Sequence, residues 1–420
     1  MTESDGGVRD FSVETKRDAR PLMTTTQAKN DRQDAMSATT WDVSLVGFGM
    51  PSDPRTFSGY AANLLRGVRD AGRLRREFSA KNVGLADVLR GAFTLRAMAP
   101  RPRVAISRSW MWGRRGNAIL SERLNRIIEK SGDRGAFLEV GTLVRVNPAF
   151  GIQYQLTDMT IAQARRTGHF AIGKLPKAVL DEAELVQREI LASVRHVFVL
   201  SEWTAASVCD DCGVPRENVT VVYAGSNLRI PQHVKAERKP HEILFVGMDW
   251  LRKGGPILLE AFREVRRSIP DATLRIVGCA PDIAGEGIIV DGLLDRRDPT
   301  QFDRLCRAYL EAACFCLPSK FDPFPNAIIE AMGVGLPSVA FDNGSRREAI
   351  VDGETGFLAI DGDAGELAKG IIRILAEPER RDAMGQKARE RVQREFTWQR
   401  VVERIGAVIA SDAILTKGKS

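Results

Sequence analysis

From Trp41 onward, short apolar runs alternate with longer segments in which apolar residues recur every three or four positions. The short runs predict buried strands, and the longer segments predict helices packed against them, such as one over Tyr60–Ala71. The predicted strands of this first part are VSLVGFG, RVAISRSW, AFLEVGTLV and two more that end at Ser201 and Gly225. Such alternation is typical of a parallel α/β sheet.

A polar, proline-flanked stretch, PQHVKAERKP, interrupts this pattern at residues 231–240. The alternation then restarts with EILFVGMDW, a helix over Gly255–Arg267, ATLRIVG, a short strand around Ile288, and ACFCLPS. Two Rossmann-like halves joined by a linker are therefore predicted. Because ligands bind outside the carboxyl ends of parallel strands, we expect the site in the cleft between the two halves.

Length and composition limit the class of protein. A chain of 420 residues exceeds what one core normally holds, and 44% hydrophobic with 27% charged residues indicates a globular protein. No segment approaches the roughly 20 apolar residues that span a bilayer. The first forty residues lack the apolar core of a secretory signal and are predicted to be disordered. We therefore expect a cytoplasmic protein.

The six cysteines show no framework spacing, which favours a reduced, cytosolic protein. Cys209 and Cys212 form a C-x-x-C pair that invites a redox or zinc interpretation. No second pair and no His-x-x-x-His supplies further ligands, so a pair that simply lies at a helix end is the more common explanation.

Basic residues are concentrated between Leu64 and Arg115, where thirteen Lys or Arg stand against three Asp or Glu. Such a face attracts anionic lipid, and Trp110 and Trp112 sit beside the arginines as interfacial anchors would. A solvated surface is the alternative. Nucleic acid is a poorer candidate, because no recognition motif accompanies the charge.

The stretch LPSKFDPFPNAIIEAMGVGLPSVA carries the strongest chemical signal. Pro323 and Pro325 exclude a helix from its first part, so Asp322 lies in a loop while Glu330 falls about one turn into the helix that follows. Asn326 is a candidate N-cap, and the free amides behind it carry the positive end of the helix dipole. This arrangement suits a phosphate.

This stretch resembles the donor region of the family 4 glycosyltransferases, which carry Glu, seven residues, then Glu, before a small-residue helix and a G-x-P-V-V-A strand. Here the pair is Asp322 and Glu330. The resemblance implies that Asp322 contacts the donor sugar with reduced reach and that Glu330 contacts the ribose. Phe324 and Asn326 are placed with the nucleotide-sugar-binding residues. The implied fold is GT-B, two Rossmann-like domains facing a central cleft.

Transfer from a nucleoside diphosphate sugar builds negative charge on the departing diphosphate, and cations must meet it. Arg252 and Lys253 follow the strand EILFVG. The family pattern G-R-x-x-x-x-K-G implies that Lys253 binds the donor phosphates, while Met248 occupies the arginine position and Arg252 substitutes for it. No D-x-D motif is placed for a metal, so no metal or other cofactor is expected.

Further candidates lie outside these loops. Gly47 and Gly49 follow the first strand and either approach the diphosphate or allow a tight turn. Glu348 occupies the place of the family's Gly-Gly-x-x-Glu loop. In the first half, Asp158 and His169 are candidates for the group near the reacting carbon, with Asp158 preferred. Asp158 or Thr160 is also a candidate cap for the helix IAQARR.

The resemblance spans about Trp41–Ile409 and is strongest over His241–Phe357. It implies transfer of a hexose to an acceptor hydroxyl with retention, in polysaccharide or glycolipid assembly, from a nucleotide sugar to a carbohydrate or lipid-linked acceptor. The alternatives are a GT-B epimerase or phosphorylase, and a non-catalytic membrane or partner-binding protein. The predicted organisation is a disordered extension over 1–40, an acceptor-side domain over 41–230, a linker over 231–240, a donor domain over 241–395, and a helix over 396–412 that crosses back.

Overall fold

The computed structural model describes residues 41–53, 56–81, 111–168, 170–173 and 175–417. Two six-stranded parallel sheets dominate it. Residues 41–409 form one compact unit that contains both sheets, and residues 410–417 end the last helix. We call residues 41–221 the first half and residues 242–395 the second half.

The first sheet has the strand order β2-β1-β3-β4-β5-β6. Its strands are β1 Val43–Gly47, β2 Leu74–Ser79, β3 Gly135–Val140, β4 Gly151–Thr157, β5 His196–Val199 and β6 Val219–Val221. The helices of this half are α1 Tyr60–Asp70, α2 Arg114–Ser131, α3 Ile161–Thr167, α4 Phe170–Gly173, α5 Lys177–Ser193 and α6 Glu202–Asp210. Because the pairing is parallel throughout, the loops after β1, β3 and β4 meet at one edge.

The second sheet has the order β12-β11-β10-β7-β8-β9. Its strands are β7 Glu242–Val246, β8 Thr273–Val277, β9 Ile288–Gly292, β10 Cys314–Cys316, β11 Ser338–Phe341 and β12 Gly356–Ala359. The helices are α7 Gly255–Ser268, α8 Pro299–Glu311, α9 Asn326–Gly333, α10 Arg346–Ala349, α11 Ala364–Ala376, α12 Pro378–Glu395 and α13 Trp398–Lys417. Strand β10 pairs with both β7 and β11, so the loops after these three strands are neighbours.

The two sheets confirm the predicted α/β fold class. Strand β2 was not predicted, because its sequence LRREFS is mostly polar and it lies, half-exposed, at the edge of the sheet. The predicted strand RVAISRSW lies outside the described residues. The helix predicted over Gly255–Arg267 is confirmed to within one residue.

One buried apolar cluster runs through both halves and includes residues of α13. The rings of Tyr60 and Trp398 meet edge to face at 4.8 Å, which places α13 against α1. The indole of Trp398 also donates to the carbonyl of Ser226, 3.2 Å away, where the chain passes from one half to the other. Of the helices that the structure describes, none is long and apolar enough to cross a membrane.

Candidate functional site

Lys253 and Asp322 meet at the carboxyl edge of the second sheet. Lys253 follows β7 and Asp322 follows β10, and these strands are paired, so the two loops are brought together. The Lys253 ammonium donates to Oδ2 of Asp322, and both side chains are nearly buried, at 12% and 11% exposure. Burial lowers the pKa of Lys253, whereas the negative charge of Asp322 acts in the opposite direction.

Arg252 lies beside this pair and is held to the same loops. Its Nη1 lies 3.4 Å from the carbonyl oxygen of Phe321, next to Asp322. Its backbone amide donates to Oδ1 of Asp249 at 3.0 Å. The guanidinium predicted to replace the family's arginine is thus near Asp322, with about a quarter of its side chain exposed.

Arg346 is a buried arginine near this pair that was not among the predicted site residues. It is 1% exposed and donates to the carbonyl oxygens of Ser319 and Asn343 at 2.6 and 2.7 Å. Its position after Asn-Gly at the end of a buried strand was the available signal. Ser319 Oγ, Asn326 Oδ1 and Arg346 Nε are buried without a hydrogen-bond partner among the described residues.

Glu330 lies in α9 as predicted, but its carboxylate is engaged by other parts of the second half. Arg296, in the loop after β9, binds both of its oxygens at 2.9 and 2.8 Å. The Tyr309 hydroxyl donates to Oε2 at 2.9 Å. Glu330 is 3% exposed, whereas 42% of the Arg296 side chain is exposed. In this arrangement Arg296 covers the carboxylate that was predicted to bind ribose.

One expectation for the loop before α9 needs correction. The N-cap position is Pro325, and Asn326 is the first helical residue, because the chain turns into the helix one residue earlier than predicted. The Phe324 ring is 3% exposed and packs against Tyr223 and Phe396, at centroid distances of 6.2 Å for each. The side chain of Phe324 therefore contributes to the aromatic packing where the halves join, and its place in a nucleotide-sugar site stays a prediction.

Asp158 follows β4 and is not the cap of the next helix. Thr160 takes that role, since its hydroxyl accepts from the amide of Gln163 and the Gln163 side chain accepts from the amide of Thr160. Burial raises the pKa of the Asp158 carboxyl to about 7, and repulsion from Asp322 adds to the rise. The negative charge of Asp322, in the second half, thus affects Asp158, the candidate acid of the first half.

Glu348 binds the first half. Its carboxylate accepts from the amides of Glu202 and Trp203 at 2.7 and 3.0 Å, at the start of α6. The Trp203 ring also meets the Phe321 ring at 5.4 Å. Burial raises the pKa of Glu348 against the lowering effect of these two amides. Glu348 is therefore a contact between the halves in this structure.

Gly47 and Gly49 shape the loop after β1. A Cβ on Gly47 would lie 2.7 Å from the carbonyl oxygen of Gly49, and one on Gly49 would lie 2.6 Å from Thr56 Oγ1. These contacts support the tight-turn interpretation. Gly49 also lines a cavity of about 470 Å³, which includes Asp158 in its wall. We call this space, at the carboxyl edge of the first sheet, the Asp158 cavity.

Of the remaining predicted features, some lie outside the described residues and others lie within them. His169 and Trp110 lie outside the described residues, as does much of the basic stretch. Trp112 packs against an apolar cluster and lines the Asp158 cavity. Cys209 lies in the last turn of α6 and Cys212 just beyond it, and both are free thiols. Within the described ranges, no three His, Cys, Asp or Glu side chains are grouped as metal ligands would be.

The second half matches a known family model. Residues 227–391 match the model described as glycosyl transferases group 1. Glycogen synthase of Mycobacterium tuberculosis is 31% identical over 174 residues, which cover 39% of this chain and 40% of that protein. MMP alpha-(1->4)-mannosyltransferase of Mycolicibacterium hassiacum is 25% identical over 229 residues, covering 53% and 56% of the two chains. The chain thus spans about half the length of these relatives.

Solved structures share the fold over most of the chain. Sucrose-phosphate synthase from Thermosynechococcus elongatus has a TM-score of 0.66 at 18% identity, covering 89% of this chain and all of that one. Anabaena HepE, solved with UDP and glucose, has a TM-score of 0.58 at 14% identity, covering 88% and 99%. Residues 227–391 thus carry the sequence pattern of the group 1 glycosyl transferases, within a fold of the GT-B type.

Proposed function

We propose that this protein transfers a hexose from a nucleoside diphosphate sugar to an acceptor hydroxyl with retention of configuration. One observation carries the proposal: Lys253 and Asp322 form a nearly buried pair at the carboxyl edge of the second sheet. This edge is where ligands bind in such sheets. The family match of residues 227–391 supports the same reaction class.

The pair suggests how the donor is received. Departure of a nucleoside diphosphate builds negative charge, and a pre-positioned cation in a poorly hydrated site stabilises it strongly. Lys253 would exchange Asp322 for the diphosphate, with Arg252 beside it, and Asp322 would then be available to sugar hydroxyls. The unpartnered atoms Ser319 Oγ and Asn326 Oδ1 flank the same loop and offer further hydrogen bonds.

Arg296 occupies the carboxylate of Glu330 that was predicted to bind the ribose. Arg296 holds both oxygens of Glu330, so a ribose hydroxyl would bind Glu330 only after Arg296 turns outward. The exposure of Arg296 leaves it room to do so. We propose no metal or other cofactor. The proposed setting is polysaccharide or glycolipid assembly on the cytoplasmic side, with a carbohydrate or lipid-linked acceptor and contact with an anionic membrane surface.

The test is replacement of Lys253. K253A is expected to lower kcat by about 10²-fold or more, because a cation that stabilises the leaving group acts mainly in the transition state. The measurement is release of nucleoside diphosphate from UDP-, GDP- and ADP-sugars with an acceptor mixture. K369A, which removes an exposed lysine on α11, serves as the control and should retain the parental rate. An unchanged rate in K253A would remove this role.

A second candidate is a non-catalytic protein that has kept the fold. It is favoured by the internal pairing of the donor-side charges, Lys253 with Asp322 and Arg296 with Glu330. This candidate predicts no nucleotide affinity. A ligand that binds only the folded state raises the melting temperature, so thermal-shift measurements with UDP, GDP and ADP separate the two proposals.

A further inference from the structure

We propose that the Asp158 cavity receives the acceptor, and that the acceptor carries an alkyl or aryl group next to its reacting hydroxyl. This inference rests on the proposed function and narrows its substrate class. The cavity holds about 470 Å³, within the range of small-molecule sites. It opens beside Asp158, whose carbonyl oxygen accepts from Thr204 Oγ1 at 2.7 Å, and the neighbouring Trp203 ring meets the ring of Phe321, next to Asp322, at 5.4 Å. A hydroxyl held at Asp158 would therefore face the sugar.

Apolar side chains make up much of the wall. Among the described residues the apolar side chains lining it are Phe48, Trp112, Val140, Leu143, Met159, Ile161 and Ile172. Ile161 and Ile172 belong to a small cluster, with Trp112 and Met159 packed on it, that is separate from the main core. This cluster forms an apolar surface beside Asp158, suited to an apolar group of the ligand.

The uncharged polar side chains of the wall are already bonded to the protein. Thr157 Oγ1 donates to the carbonyl oxygen of Met159 at 2.9 Å. The Gln187 side chain donates to Thr142 Oγ1 at 3.1 Å and accepts from the amide of Ile161 at 2.7 Å. Thr160 Oγ1 bonds Ser207 Oγ at 2.6 Å in addition to its capping bond. Each of these groups thus has at least one partner in the protein, and among the described residues the charged ones that line the wall besides Asp158 are Asp53 and Lys81.

The apolar side chains of the wall discriminate between two kinds of acceptor. An oligosaccharide chain presents many hydroxyls, and each one removed from water without a partner is penalised. An alkyl or aryl group needs no partner and gains from leaving water. One hydroxyl can be satisfied by the Asp158 carboxylate, a hydrogen-bond acceptor. The apolar part of the wall, formed around Ile161 and Ile172, therefore fits an amphiphilic alcohol better than the interior of a polysaccharide.

The experiment compares two glucosides that differ only in their apolar group. Octyl β-D-glucoside, below its micellar concentration, and methyl β-D-glucoside are titrated into the full chain without donor, by calorimetry. We expect the octyl compound to bind at least tenfold more tightly. M159Q, a near-isosteric polar change, should weaken octyl binding about tenfold, since a cavity of this kind discriminates apolar groups by that order. I172A serves as a second variant.

L185Q is the matched control, because Leu185 is 47% exposed on α5 and does not line the cavity. It should bind the octyl compound as the parent does. Equal binding of the two glucosides, or equal octyl binding by M159Q, I172A and parent, would overturn the inference. UDP, GDP and ADP binding is measured on the same samples. Absent nucleotide binding contradicts the proposed function, whereas loss of octyl selectivity with intact nucleotide binding contradicts only the acceptor class.

Discussion

The two sheet edges that face the candidate site hold their polar groups in different ways. In the second half, charged side chains pair with each other, as Lys253 does with Asp322 and Arg296 with Glu330. In the first half, neutral side chains such as Thr157 and Gln187 bond to the protein, and the wall that remains is largely apolar. Ion pairs between side chains thus characterise the second half, whereas neutral hydrogen bonds and an apolar wall characterise the first.

This difference indicates how each side would select a ligand. An anionic donor can exchange with a carboxylate for Lys253 or Arg252, so the ion pair holds the cations in place until the donor arrives. The cavity of the first half would select mainly by the size and apolar character of the ligand, because apolar side chains make up much of its wall. Substitutions on the two sides should therefore differ in which step they disturb: donor binding and chemistry on one side, acceptor affinity on the other.

At a fixed pH, the largest effect on folding is expected on the charged side. D322N removes the partner of the nearly buried Lys253 and should lower the free energy of unfolding by about 3 kcal/mol, because an uncompensated charge is left behind. Urea denaturation measures this. The double variant K253M/D322L removes both charges and should recover most of the loss. If D322N unfolds at the parental urea concentration, the pair does not contribute to stability.

A buried acid on the apolar side should give a pH-dependent effect. Glu139, at the end of β3, accepts from the amides of Leu143 and Val144 at 2.9 and 3.0 Å and so holds the loop that lines the Asp158 cavity. Burial raises its pKa from 4.5 to about 8 despite these bonds. Because the pKa of Glu139 is higher in the folded state, folding favours its protonated form. The stability gained in this way is complete below pH 4.5, decreases as the pH rises, and is lost above about pH 8.

The variant E139Q keeps an oxygen for both amides but does not titrate. The stability of the parent relative to E139Q should therefore fall between pH 5 and 8, by at most about 1.4 kcal/mol per pH unit. Urea denaturation at several pH values across this window measures it. A constant difference would show that the pKa of Glu139 is not raised by folding.

A smaller effect is expected where the two sides meet. E348A removes the carboxylate that accepts from the amides of Glu202 and Trp203 and should lower the free energy of unfolding by about 1 kcal/mol, as loss of a helix cap does. E348Q retains an acceptor oxygen and should lose less. E354A, at an exposed glutamate, provides the control. Equal stability of E348A and E354A in urea would contradict the contact described here.

Local sequence patterns predicted most of the described helices and strands. Contacts between segments that are distant in sequence could not be predicted from them. The fold class and the position of Glu330 in a helix follow from apolar spacing and prolines. Its partner Arg296 could not be predicted, because that residue lies 34 positions away on the loop after another strand. Lys253 and Asp322 were each identified, but only strand pairing shows that they meet. Asp158 and Thr160 were both candidates for the N-cap of α3, and the structure shows that Thr160 is the cap.

Arg346 has a mechanical consequence. Its guanidinium joins the carbonyl of Ser319, before the Asp322 loop, to that of Asn343, after β11. A shift in either segment would therefore act on the other, and Arg346 is the first residue of the short α10, which also carries Glu348. A donor that displaces Asp322 would in this way also change the contact between Glu348 and the first half of the molecule.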